Sequence, residues 1–589
     1  MGTLRLNRRR SPFTMNRGRL CLFFGFFGFL GVLLVATNVN VMQKAIKNDP
    51  VGFSKLLAGN QVLNDNDSKS ASYVRYNATS TILPVDASFR KPVQINRNHK
   101  LKSLNCEKHG GPSQTIAAEM VYWRDILEDT QFISPYINSG SSPKYLTFEP
   151  DEGGWNNIRM AMETAIAFAY ATGRVLVLPP TQKLYKNGDD NDRDNQFSPH
   201  DFFDFDFIAA KHKGFQITTM NEFLHSEIMS RYLETNERTG DKRLPPGYRK
   251  DGGGLVVDQE FWMWIRNVTT KVHWDSNECV IGFPKRPGAN GMKNMTKYKK
   301  QVNKQSSYQK YNDNPTPVNA SPKARLREIT SDRRRLCIYK MVAQNARVIH
   351  FMGDKASKGR LLTHFYNVLF FEDWHQDLLT KRFVRDYLRY RDEIQCAAAR
   401  VVNALRKKSK EHGDPNGSFD SFHIRRRDFL YVYKDAKVDA LQIYRRFKST
   451  LKVNSTIFIA TDEKDLSFFD PLSKHYHVYF LRDFQYLVEA FSKKHMGMID
   501  QIIASRGRAF AGTYLSTFSG YINRLRGYHS QNEKMSGFKT GELANSYYIA
   551  PKRQKLAMHQ YQSPRAPYWA REFPVGWRDI DHDIDSVKK

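Results

Sequence analysis

The chain has 589 residues, 91 Lys and Arg against 60 Asp and Glu, a net charge of +31 and a pI near 9.7. With 40% hydrophobic and 13% aromatic residues it has material for real cores, and its length fits roughly two or three domains. The charge alone would suit a nucleic-acid binder, but there is no zinc-finger spacing, RNP-like motif or basic helix with an apolar face, so no nucleic-acid partner is expected.

Residues 1–19 form a basic tail containing Arg5, Arg8, Arg9, Arg10, Arg17 and Arg19. Leu20–Thr37 follows with 18 uncharged residues, and Asn38–Met42 extends it. That is about the roughly 20 residues a bilayer requires. A cleaved signal peptide has an apolar core of only about 7–15 residues, and no A-x-A site follows here. Residues 20–42 are therefore expected to be a transmembrane signal anchor with the arginines on the cytosolic side. This topology predicts a single-pass type II membrane protein of the ER or Golgi with everything beyond the anchor lumenal. The sequons at Asn66, Asn77, Asn267, Asn294, Asn319, Asn416 and Asn454 agree. Cys21 lies in the anchor. Cys106, Cys279, Cys337 and Cys396 are an even set that could form two disulfides in any of three connectivities, and no Cys/His spacing argues for zinc.

Residues 43–110 are expected to be a polar stem, and 143–400 a first α/β domain. That domain opens with Tyr145–Pro180, read as strand, glycine loop, helix, glycine stop and buried strand. At about 285–335 a Lys/Arg/Asn/Gln/Ser-rich stretch lacks apolar periodicity and reads as a solvated insertion. Arg347–Gly353 reads as another strand and Phe370–Lys407 as helical. Residues 415–530 repeat the rhythm. Phe422–Arg425, Thr456–Asp462, His477–Leu481 and Ala509–Thr513 are strand-like, with helices at Asp439–Leu451 and Met496–Arg508. Residues 531–589 form a C-terminal extension without a structural assignment. Alternating strands and helices in two halves imply two parallel-sheet, Rossmann-like domains, with ligand bound at the carboxyl ends of strands.

Three motifs sit where such a ligand would lie. Gly153-Gly154 delivers a strand into a helix N-terminus, where free N–H groups and the helix dipole favour anions. Ser516-Thr517-Phe518-Ser519 is a second strand-to-helix junction, readable as an ordinary N-cap or as a phosphate cradle. His423-Ile424-Arg425-Arg426-Arg427-Asp428-Phe429 places guanidinium groups at a strand end, where one could clamp a diphosphate. A fourth motif, Asp204-Phe205-Asp206, has the D-x-D form of a metal-diphosphate site but lies in a Phe-rich, structural-looking segment.

Together GGWNNIR followed by VLVLPP, HIRRRDF, IFIATDE and GMIDQIIASRGRAFAGTYLSTFSGYINRLRG resemble the GDP-fucose protein O-fucosyltransferases, over about Tyr145 to Arg526. HIRRRDF is closer to the branch that fucosylates thrombospondin-type repeats, and GGWNNIR to the large plant branch. The resemblance implies a GT-B fold, two Rossmann-like domains facing across a cleft. It implies inverting, metal-independent transfer of L-fucose from GDP-fucose to a hydroxyl of a protein or glycan acceptor, with no cofactor. It assigns Arg425 to the diphosphate as a catalytic group, with His423 shaping the same strand end. Asp500 is expected to contact the nucleotide, with guanine as its target, and Ser516, Thr517 and Phe518 to hold phosphate and nucleoside. Gly153, Gly154, Asn156 and Asn157 would meet donor and acceptor. Glu152 is the expected catalytic base, with Asp151 and an asparagine-only mechanism as rivals, because the loop is one residue longer here than in the thrombospondin-repeat branch. Two alternatives are a catalytically silent sugar-nucleotide- or glycan-binding relative and a metal-dependent GT-A enzyme using Asp204 and Asp206.

Overall fold

The computed structural model describes residues 99–137, 142–151, 153–183, 196–226, 245–246, 259–272, 274–276, 278–304, 316–330, 333, 335–353, 361–533, 545–548 and 572–584. All lie in the unit Asn77–Lys589. The expected anchor, residues 20–42, and most of the stem lie outside the described residues. Among the described residues no helix is long and apolar enough to cross a membrane.

The first sheet is made of β1 (Tyr145–Phe148), β2 (Val175–Leu178), β3 (Ile217–Thr219), β4 (Thr270–Lys271) and β5 (Val348–Phe351), in the order β3-β2-β1-β5-β4. Every ladder is parallel. Between β1 and β2 runs α1 (Trp155–Thr172), of whose 18 residues 16 are buried. A helix buried on nearly every side has no solvent face, which is why its sequence is dense in Ala, Met and Ile rather than amphipathic. Gly173 ends it at φ 65°, a left-handed conformation that Gly adopts without the Cβ penalty.

The second sheet has the order β8-β7-β6-β9-β10, from β6 (Phe419–Ile424), β7 (Thr456–Thr461), β8 (His477–Tyr479), β9 (Phe510–Thr513) and β10 (Asn545–Tyr548). Again all pairs are parallel. All six residues of β6 are buried, as expected for a central strand covered on both faces. Helices α2 (Lys493–Ser505) and α3 (Thr517–Glu533) flank β9 in sequence. The α/β class and two parallel sheets agree with the sequence reading.

Three expectations need correction. The stretch 285–335 is not a solvated loop throughout. Helices Gly288–Lys304 and Pro322–Ile329 bury Met295, Val302, Leu326 and Ile329 against a three-stranded parallel sheet of Leu369–Phe371, Cys279–Phe283 and Arg335–Ile338. Met292, Met295, Tyr298 and Val302 recur about once per turn, a stripe too sparse to stand out among the lysines. The stem ends earlier than residue 110, since Leu104 and Cys106 are fully buried. The C-terminal extension is partly core, with β10 completing the second sheet and Trp577 and Ile580 fully buried. Of the three disulfide connectivities, the structure has Cys106–Cys396 and Cys279–Cys337.

A buried ionic network joins these parts. Arg524 of α3 donates to Glu163 Oε1 of α1 at 2.6 Å and to both Glu572 oxygens at 2.9 Å. Arg159 completes Glu163 at 3.0 Å, and Tyr366 donates to Glu572 Oε2 at 2.5 Å. Burial would raise the Glu572 pKa, but Arg524 and His364 hold the carboxyl below the usual range. Charges this deep are tolerable because they are paired, and deleting one partner of such a pair typically costs about 3–5 kcal/mol. The C-terminal segment is thus tied to both lobes by charge as well as by Trp577.

Candidate active site

In the second sheet β6 has β7 on one side and β9 on the other, so the chain reverses direction of winding between β6 and β9. Ligands of open α/β sheets lie outside the carboxyl ends of strands at such a switch point. Arg425 follows the end of β6 and Ser516 and Thr517 follow the end of β9. The Arg425 N–H donates to Thr513 Oγ1 at 2.8 Å, which ties the two strand ends together. The first sheet has the same feature between β1 and β5, where the loop carrying Asp151, Gly153 and Gly154 leaves β1. The fold therefore brings the glycine-loop, HIRRRDF and STFS motifs to switch points.

Within the glycine loop Gly153 N–H donates to Asp151 Oδ1 at 2.8 Å. A Cβ on Gly153 would meet Asn157 Nδ2 at 2.4 Å and Asp151 Oδ1 at 2.8 Å, so no side chain fits this turn without displacement. A Cβ on Gly154 would meet nothing within 4 Å. Gly154 caps α1 without a side-chain hydrogen bond, leaving the helix N-terminus to other partners. Glu152 lies outside the described residues. Upstream, burial would raise the Glu149 pKa, but Arg266 and His350 hold the carboxyl at about 2. Arg266 grips it with two bonds of 2.5 Å, so Glu149 is a fixed anion supporting the loop base.

On the opposite side Arg425 donates to Asp462 Oδ2 at 2.7 Å and Asp428 Oδ1 at 3.0 Å, and its side chain keeps 30% exposure. Arg426 is paired with Glu463 at 2.5 Å. His423 is buried, stacks on Phe518 with ring centroids 4.3 Å apart, and shares a 2.7 Å hydrogen bond between Nδ1 and Ser519 Oγ. Burial, with Arg425 adding to it, pushes His423 down to about 3, so the ring is neutral at physiological pH. A Cβ on Gly497 would lie 3.5 Å from Phe518 Cε2. Asp500, three residues on, shares that face of α2. The residue is partly exposed, yet its Oδ1 is closed from water with no hydrogen-bond partner among the described residues. Burial pushes the Asp500 carboxyl up to about 8. An enclosed acceptor without a donor beside an aromatic ring is a place for a ligand with N–H groups.

The two sides meet directly. Thr517 donates to Asn157 Oδ1 at 2.9 Å, and Gln501 donates to Asn156 Oδ1 at 2.7 Å. Of the expected site residues, Asn156, Asn157, Asp500, Thr517, Phe518 and His423 thus occupy one contiguous junction, with Ser516 buried at its edge. Asp204 and Asp206 do not join them. Asp204 caps the helix Phe205–Lys211 by accepting from Phe207 N at 3.1 Å, and both carboxylates are exposed on its first turn. Sequence reasoning missed Gln501, Tyr390 and the carboxylate partners of Arg425. Asp462 ends a strand conspicuously in IFIATDE, but Tyr390 has no sequence signal.

The sequence profile of the family described as GDP-fucose protein O-fucosyltransferase matches residues 145–529, more than half of the chain. The chain belongs to that family. This fucosyltransferase is accordingly a glycosyltransferase that uses GDP-fucose as the source of fucose. No curated protein matches the chain. Among solved structures it is similar to POFUT1 in complex with GDP-fucose, at 14% identity over 68% of this chain and 97% of that one, TM-score 0.30. It is similar to the fucosyltransferase NodZ from Bradyrhizobium, at 12% over 65% and 94%, TM-score 0.30. An Arabidopsis thaliana FUT1 variant in complex with GDP is similar at 9% over 79% and 82%, TM-score 0.33.

Proposed function

We propose that this fucosyltransferase has the GT-B arrangement and transfers L-fucose with inversion, and without an obligatory metal, to a hydroxyl of a protein or glycan acceptor. GDP sits at the β6/β9 switch point with guanine on Asp500 and Phe518. Arg425 holds the diphosphate and stabilises its charge as it leaves. The glycine loop brings the acceptor to the opposite face of the sugar, where Glu152 takes its proton. The single observation that carries this reading is the convergence of the Asp500 carboxyl, the His423–Phe518 stack, Arg425 and the Thr517 helix start at one switch point. We further propose that residues 20–42 anchor the protein in an ER or Golgi membrane with this site lumenal, motivated by their uncharged run after six arginines. Protease protection of the region beyond the anchor in sealed vesicles tests the topology, and cleavage there without detergent would refute it.

The nucleotide site has a pH signature. Guanine presents N–H donors, which need Asp500 ionised, whereas the free protein keeps this carboxyl protonated up to about pH 8. Binding must then release a proton. The dissociation constant for GDP should fall about tenfold per unit as pH rises from 6 towards 8 and level off above it. His423, near 3, contributes nothing in that window. The phosphate titrates equally in wild type and Asp500→Asn, so their difference isolates the carboxylate. Isotherms at several pH values check this, and the same pH profile in both proteins would remove guanine from Asp500.

A further inference from the structure

Four side chains form a hydrogen-bond relay from the glycine loop into the nucleotide-binding lobe and back. Trp155 Nε1 donates to Tyr390 Oη at 3.1 Å, Tyr390 donates to Gln501 Oε1 at 3.0 Å, and Gln501 Nε2 donates to Asn156 Oδ1 at 2.7 Å. Tyr390 and Gln501 are fully buried and Asn156 is 7% exposed, so water does not compete at the Tyr390–Gln501 and Gln501–Asn156 bonds.

The direction of this relay is imposed from one end. An indole N–H can only donate, so the Tyr390 oxygen is the acceptor there and its own proton must go onward. That proton needs the carbonyl of Gln501, which turns the amide nitrogen of Gln501 towards Asn156. Asn156 must then answer with its carbonyl. Amide orientation is ordinarily ambiguous, but here the donor-only indole removes the choice.

We propose that Gln501 is a positioning residue whose relay with Trp155 and Tyr390 commits the Asn156 carbonyl and presents the Asn156 amide N–H to an oxygen of the sugar-diphosphate donor. This rests on the reading of the junction as the GDP-fucose site. It adds that Asn156 cannot serve as the acceptor of a proton, which excludes the asparagine-only mechanism at this residue. Asp500 directly precedes Gln501 on α2, so the helix that reads the nucleotide also sets the amide at the glycine loop.

The test compares wild type with Asn156→Asp, Gln501→Leu and Tyr390→Phe, measuring GDP affinity, GDP-fucose affinity, kcat and melting temperature. Asn156→Asp keeps an oxygen for Gln501 and replaces the N–H group by another oxygen. It should weaken GDP-fucose binding or lower kcat/KM by about 10- to 100-fold, the range of one hydrogen bond to a charged group. Gln501→Leu should do the same by freeing the amide to rotate, and Tyr390→Phe should have a smaller effect in the same direction. A loss confined to GDP-fucose places the oxygen on the sugar, and an equal loss for GDP places it on the phosphate. Wild-type kcat/KM in Asn156→Asp, or in Gln501→Leu with Tyr390→Phe should Asn156→Asp fail to fold, would overturn the proposal. If wild type itself does not bind GDP-fucose, the functional reading fails instead, and that outcome is distinct.

Discussion

Arg425→Ala should lower kcat for fucose transfer by about 10²–10³-fold while the protein stays folded. The activity loss follows from the role proposed for the guanidinium. Negative charge grows on the diphosphate as the glycosidic bond breaks, and a preorganised cation aimed at that charge is worth about 3–4 kcal/mol. The retention of fold follows from the surroundings. With 30% of its side chain exposed, Arg425 sits in partly solvated pairs with Asp462 and Asp428, and such pairs contribute about 0–1 kcal/mol. Asp462 also keeps its 2.7 Å bond from the Arg426 N–H, and the Arg425 backbone N–H still reaches Thr513. Kinetics beside a melting curve check both halves. A folded variant with near-normal kcat would remove the leaving-group role.

A second large effect is expected for Glu152→Gln, a fall in kcat of about 10²–10⁴-fold with GDP-fucose affinity preserved. Glu152 is the proposed base, and its rivals in the loop are engaged in structural hydrogen bonds. Asp151 is 4% exposed and accepts the Gly153 N–H at 2.8 Å, so it shapes the turn. Asn156 has its carbonyl engaged by Gln501. A glutamine in place of Glu152 matches its size and loses only the ability to accept a proton, so binding and stability serve as internal controls. Unchanged kcat in Glu152→Gln, with a loss in Asp151→Asn that leaves GDP-fucose affinity intact, would transfer the role to Asp151.

Local chemistry made much of the fold and half of the site legible. The strand–glycine–helix–strand run at Tyr145–Pro180 matches β1, α1 and β2 within a residue or two, because buried parallel strands and an Ala-rich central helix leave little ambiguity. HIRRRDF and STFS likewise fall at strand ends. What stayed hidden depends on partners distant in sequence. Asn156 and Gln501 are 345 residues apart, Asn157 and Thr517 360, and neither pairing has a local signature. The C-terminal segment looked like a tail because Glu572 and Asp581 acquire their meaning only opposite Arg524 and Arg385. The helix Gly288–Lys304 escaped notice because its few buried positions are outnumbered by exposed lysines.

The most direct measurement is release of the nucleoside diphosphate, GDP or UDP, by the purified protein incubated with GDP-fucose, GDP-mannose and several UDP-sugars, each with and without a chelator, alongside a binding isotherm for every donor. The site predicts that GDP-fucose is bound and turned over in preference to the others, and that the chelator changes nothing. Absence of both binding and turnover of GDP-fucose, or equal use of a UDP-sugar, would contradict the account. Activity lost to the chelator and restored by manganese would overturn the proposed metal independence and bring Asp204 and Asp206 back as candidates.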